Sequence, residues 1–346
     1  MPTPRHHVVI GNGVAGSQAA ITLRERDPEA KVSLITLSAL LFYNRYDLPK
    51  VFRGRRDWRE FLVYPPQFYA DRNIEVRRRS EVANVDAEHH SITLGHKEEI
   101  RYDTLLVAAG GRGYLPEELS EYRALMHNFG NFEQAIAVTK VLPEGGRVVM
   151  LGGDMIGLDL ARTLADSGYR VTLVAGEYTF WPHEVEAAER LLFVKALQDM
   201  GVEVIEQDGV GGIAGIERGV PGMAPRRVLF RDGSDVYGDV VMPFFGLVPS
   251  VEFMVGSGVD IERGLLVNPE LRTTNENIHA AGDVCQIWND AEHRYRFYYG
   301  WKNVRAMGDL AARNMTGATD AFTPTQDEKL RISADGRITS PFWEYE

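Results

Sequence analysis

Two stretches of this 346-residue chain have the residue types and spacing to hold phosphates. In VVIGNGVAG, the glycines Gly11, Gly13 and Gly16 follow a β-branched run and open an apolar-periodic segment. Gly11 permits a tight turn, Gly13 lets backbone amides reach a pyrophosphate, and Gly16 lets a helix lie close to the strand. Val14 and Ala15 supply the first helical amides, and the helix N-terminus favours negative charge there. The second stretch, RVVMLGGDMIGLDLA, repeats the design with Gly152 and Gly157, and Met155 and Ile156 open its helix. Its middle glycine is replaced by Asp154. A carboxylate at that point repels a bound phosphate unless it turns away.

Each cradle needs a strand before it and a helix after it. Residues 6–26 and 147–168 both read as apolar strand, glycine turn and periodic helix. They continue into the β-like runs KVSLIT (31–36) and YRVTLV (169–174). Two βαβ units imply an α/β fold with two doubly wound, Rossmann-type nucleotide-binding domains. Further strands are expected in 99–110, 201–206 and 226–233. The carboxylate that bonds ribose hydroxyls at the end of the second strand is missing from both units. The first offers Thr36 or Ser38, and the second has Ala175 and Gly176, with Glu177 slightly late.

Composition narrows the class. The net charge of −11 argues against general nucleic-acid binding, which needs a basic face. No apolar run reaches the ~18–20 residues of a membrane span, and the N-terminus enters a strand at once, so no cleaved signal is expected. The single cysteine, Cys285, excludes an intramolecular disulfide and fits a cytoplasmic location. Nine histidines form no ligand-like group, and no metal site is expected. The basic clusters Arg53–Arg59 and Arg77–Arg79 read as solvated faces, the first alternatively as a dock for an acidic redox partner.

A distal motif extends the picture. TNENIHAAGDV (274–284) carries a threonine, five residues and then A-x-G-D. With the glycine turns, this resembles the two-dinucleotide-binding flavoproteins, the pyridine nucleotide-disulfide oxidoreductases, and within them the ferredoxin- and rubredoxin-reductase branch. The resemblance covers about residues 6–316. It implies an FAD domain at 1–116 and 240–316, an inserted NAD(H)-type domain at 117–239, and a short tail at 317–346. It implies that Gly282 and Asp283 meet the ribityl chain and a phosphate of FAD. IRYDTLLVAAGG resembles the family's crossing between domains, with Ala109 in a threonine's place before Gly110. Trp301 begins a segment that resembles the helix covering the flavin ring.

The disulfide reductases of the family need redox cysteines in the first domain, and LLFYNRYDLPKVFRG (40–54) has none. That segment resembles the branch signature Y-x-R-x-x-L-x-K through Tyr43, Arg45, Leu48 and Lys50. By resemblance, Lys50 reaches the flavin N5 edge and pairs with Asp159, where the branch has glutamate. The second cradle would bind NADH rather than NADPH through Gly152, Asp154, Met155, Ile156, Gly157 and Glu177, because no arginine pair marks a 2′-phosphate pocket. The resemblance therefore implies an FAD-dependent oxidoreductase. It would pass electrons between NAD(H) and an iron–sulfur or rubredoxin-like carrier. About thirty residues follow the flavin-covering helix, fewer than the family's interface domain. Membership of a larger redox complex is expected in place of the usual homodimer, with Phe342, Trp343 and Tyr345 as a docking arm. The alternative is a non-catalytic FAD-binding assembly or sensor subunit with a degenerate nicotinamide site.

Overall fold

The computed structural model describes residues 4–219, 225–325 and 329–343. Nine strands and three helices position the sites. In the first half these are β1 (His6–Ile10), α1 (Val14–Arg26), β2 (Lys31–Ile35), β3 (Ile74–Arg77) and β4 (Thr104–Val107). In the second half they are β5 (Arg147–Gly152), α2 (Met155–Asp166), β6 (Arg170–Ala175), β7 (Val202–Glu206), β8 (Val240–Phe244), β9 (Ile278–Ala280) and α3 (Trp301–Met315).

Two parallel sheets organise the chain. The first runs β9-β4-β1-β2-β3, and the second runs β7-β6-β5-β8. Both central strands, β1 and β5, are almost wholly buried, as strands covered on both faces must be. The first sheet takes its edge strand β9 from far along the chain, so the second fold is an insertion between its parts. The expected start of the returning segment, residue 240, falls inside the second fold, because β8 pairs with β5 from Val240 to Phe244. The expected strand at 99–110 is broken into Glu99–Arg101 and Thr104–Val107, with Tyr102 buried at the corner between them.

Helices α1 and α3 cross at backbone distance. A Cβ placed on Gly308 would lie 2.2 Å from the Ala15 carbonyl oxygen, so only glycine fits that crossing. A hydroxyl–carboxylate bond from Thr22 to Asp309, at 2.7 Å, fixes the same pair further along. The first cradle and the helix that begins at Trp301 are therefore packed as one block. Gly308→Ala forces the two backbones apart and should destabilise the flavin-loaded protein by about 1–3 kcal/mol, the usual range for overpacking. The denaturation midpoint measures this, and an unchanged midpoint would show that the crossing has room for a methyl group.

Candidate functional site

The two glycine turns have the same outline and opposite hydrogen bonding. In the first, Gly11 has φ +104°, and a Cβ there would lie 2.2 Å from the Ala108 carbonyl oxygen. A Cβ on Gly16 would lie 1.9 Å from the Gly11 carbonyl oxygen, while Gly13 faces open space. Gly13 is the N-cap of α1, and no side chain caps that helix. The amides opening α1 at Val14, Ala15 and Gly16 thus receive no side-chain cap, with Gly13 beside them facing open space, which is what a pyrophosphate cradle requires. This end of the first sheet fits FAD.

The second turn is sealed by its own residues. Asp154 does not turn away from the helix; it is the N-cap of α2 and only 3% exposed. Its Oδ1 accepts from the Ile156 and Gly157 amides at 3.0 and 2.9 Å, and its Oδ2 accepts from the Gly246 amide at 2.8 Å. The Met155 amide donates to the Trp181 carbonyl at 2.8 Å. Burial raises the pKa of Asp154, and the three amide donors oppose that rise. The amides expected to receive a nicotinamide dinucleotide's phosphates are already bonded, so this turn as folded does not fit that pyrophosphate.

The residues expected on the flavin side lie around Asp283, Tyr46 and Trp301. Asp283 follows Gly282, whose φ is +84°. Burial pushes the Asp283 carboxyl up to about 6, against the positive charge of Arg45. Burial raises the Tyr46 phenol, helped by the negative charges of Asp283 and then Asp159, so these three groups share one environment. Arg45, Tyr46 and Lys50 come from the 3-10 stretch Arg45–Arg53, whose N-cap Asn44 accepts from the Tyr46 amide at 3.0 Å. Trp301 stacks on Phe42 at 5.8 Å and meets the edge of Tyr46 at 6.0 Å. Ala109 lies beside Gly11, and Gly110 follows it at φ +68°.

Several expected partners differ. Lys50 Nζ lies 2.6 Å from Asp47 Oδ1, and Asp47 also holds Arg55 at 2.7 Å. Asp159 is bonded by Arg162 at 2.6 Å, and its pKa is raised by burial against that cation. The Thr36 hydroxyl is buried and donates to Asn12 Oδ1 at 2.9 Å, while Asn12 donates to the Leu40 carbonyl at 2.9 Å. Asn12 thus ties the cradle to the second strand end, a role hidden in the variable position between two glycines. Glu177 lies exposed across Gly209, at the rim of a small pocket that includes Gly152, Tyr178 and Phe245. Cys285 is buried and its thiol is pushed up by burial, which keeps it a protonated, unreactive group.

The tail also differs from expectation. Phe342 is 1% exposed and packs with Met155 and Tyr299 on this chain itself, so it is no free docking arm. Trp343 donates through Nε1 to the Met155 carbonyl at 2.9 Å. Tyr345 lies outside the described residues.

Two parallel nucleotide folds, one inserted in the other, with an open glycine cradle and a buried acidic loop beside it, define a two-dinucleotide flavoprotein. The chain belongs to the pyridine nucleotide-disulphide oxidoreductase family, whose model matches residues 5–308. It is a flavoprotein oxidoreductase of the nicotinamide-linked, electron-transferring kind. It is 27% identical to a nitric oxide reductase FlRd-NAD(+) reductase of Aliivibrio fischeri, over 81% of this chain and 72% of that one. It is 28% identical to the ferredoxin–NAD(+) reductase component of an anthranilate 1,2-dioxygenase system of Burkholderia cepacia, over 91% and 76%. Its fold matches the crystal structure of a covalent putidaredoxin reductase–putidaredoxin complex with a TM-score of 0.84 and 21% identity, over 94% of this chain and 78% of that one. Among the described residues, no helix is long and apolar enough to cross a membrane.

Asp154→Ala removes the acceptor of three backbone amides. It should cost about 1–2 kcal/mol of stability, the upper part of the range for losing an N-cap. Asp154→Asn, which keeps one capping oxygen, should cost less. Equal losses for the two variants in chemical denaturation would contradict the capping role.

Proposed function

We propose that this chain is an FAD-dependent oxidoreductase that passes electrons between NAD(H) and an iron–sulfur or rubredoxin-type carrier. We further propose that it works in the cytoplasm as the flavin subunit of a larger redox complex. The observation that carries the reading is the uncapped first cradle, with Asp283 and the Trp301 helix packed beside it. Bound FAD supplies the exchange between two-electron and one-electron steps. The chain's residues bind and shield it. The amides at Val14 to Gly16 receive phosphate, and Asp283 accepts a hydroxyl of the ribityl chain. Trp301, Phe42 and Tyr46 form an apolar wall that excludes water. Lys50 and Arg45 supply positive charge on the same edge, which favours a reduced, anionic ring.

The relatives named for ferredoxin and flavorubredoxin reduction support the choice of carrier. The exposed Arg53 ends the Arg45–Arg53 stretch and the exposed Arg56 and Arg59 follow it, giving an acidic carrier a complementary surface. The alternative, a non-catalytic assembly or sensor subunit, draws on one observation, the sealed α2 terminus.

The two readings separate without any nicotinamide. The flavin of the purified protein is photoreduced under anaerobic conditions and mixed with oxidised rubredoxin. Bleaching of rubredoxin, slower as salt is raised, is the expected result. A reduced flavin that leaves both rubredoxin and a [2Fe-2S] ferredoxin oxidised would favour the non-catalytic reading. Asp283→Ala should lower the bound flavin content several-fold, as read by the ratio of visible to ultraviolet absorbance.

A further inference from the structure

The segment after the third helix lies along α2 and holds both of its ends. At the last residue of the helix, the Asp166 carboxylate receives Arg337 at 2.6 Å. At its first residue, the Met155 carbonyl receives the Trp343 indole N–H. Between these points Ile338 is buried in the core of the second fold. Ser340 bonds His183 at 3.0 Å, and Phe342 stacks on the same imidazole at 4.9 Å. The Arg162 guanidinium covers the Trp343 ring at 4.8 Å.

The same residues close the junction between the two folds. Phe342 joins Met155, which starts α2, to Tyr299, which immediately precedes the turn into α3. Trp181 meets Tyr299 at 5.0 Å. It also lies so close over Gly246 that a Cβ there would fall 2.8 Å from the indole. Gly246 is the residue whose amide holds Asp154 Oδ2. Carboxylate, indole and tail thus form consecutive layers over one helix end.

We propose that Arg337–Trp343 is a strap that closes the second dinucleotide cradle over a built-in anion, Asp154. A dinucleotide pyrophosphate then reaches the α2 amides only when the strap lifts and the carboxylate swings out. This rests on the reading of the chain as a nicotinamide-linked flavoprotein. The closing contacts suit a reversible cover. They include one indole N–H bond, one Ser–His bond, a partly exposed ion pair, one cation–π contact and two buried apolar side chains, Ile338 and Phe342. While the closed form dominates, apparent affinity falls in proportion to the fraction of molecules that are open.

The test is calorimetric titration of NADH into the oxidised, flavin-loaded protein, so binding is read apart from turnover. Four forms are compared: the full chain, a chain stopped after Thr339, Asp154→Gly, and the two changes together. The expected result is weak binding to the full chain and a gain of about tenfold or more on removing the strap. Asp154→Gly alone should give a smaller gain, because the cover remains, and the combined change should exceed the product of the two. If the shortened chain does not fold, Trp343→Phe keeps the ring and removes the N–H donor. It should tighten binding several-fold. An NADH affinity that is the same in all forms, or that weakens without the strap, overturns the proposal. So does absence of binding in the combined variant with its flavin spectrum intact. Electron transfer from photoreduced flavin to rubredoxin is measured without nicotinamide, so its outcome stands independently of these.

Discussion

The first turn of an α-helix leaves backbone amides that nothing in the helix can satisfy. This chain meets that constraint twice, in opposite ways, and much of its organisation follows. At α1 a glycine N-cap leaves the amides to an external anion. At α2 an aspartate from the chain itself takes them, and the neighbouring Trp181 carbonyl takes another. A helix end completed internally needs no ligand to be stable. A helix end left bare gains from binding one. The asymmetry between two folds of the same outline is therefore an asymmetry in which of them depends on its cofactor.

The fold was legible because its signals are local. β-branched strands running into glycine turns fixed both βαβ units, and the glycine demands at Gly11 and Gly16 come from backbone crowding that no other residue relieves. Asp154 could be seen as unusual in the sequence but its direction could not, since an N-cap and a phosphate antagonist occupy the same position in a written chain. The difference lies in the Gly246 amide, ninety-two residues away, which holds the second oxygen. The expected pair Lys50 and Asp159 shows a similar point. Each has a partner three residues away in sequence, Asp47 for Lys50 and Arg162 for Asp159, and the i,i+3 geometry brings these pairs together. Phe342 and Trp343 looked like exposed aromatics because the end of a chain has no periodicity to show what covers it.

Charge around Tyr46 is balanced across elements from both folds. Asp283 belongs to the first fold and Asp159 to the second, yet both raise the Tyr46 phenol, with Arg45 opposing at Asp283. A buried carboxyl that titrates near pH 6 is poorly solvated in its charged form. A hydrogen-bond donor brought to it compensates for that loss. The acidic loop is thus prepared for a hydroxyl-bearing partner in the same sense as the bare α1 amides are prepared for a phosphate.

Asp166 has a further consequence. Its carboxylate takes Arg337 from the tail and, at 3.4 Å, Arg53 from the arginine-rich loop. The arginine-rich stretch and the tail therefore share one anion. An acidic protein that draws Arg53 toward itself leaves Asp166 to Arg337 alone and strengthens the hold on the tail. By reciprocity, a lifted tail leaves Arg53 more firmly tied to Asp166 and less available outside. With half-exposed groups the effect is modest, but its sign is set: the two faces of the molecule are antagonists, which favours alternation over simultaneous engagement.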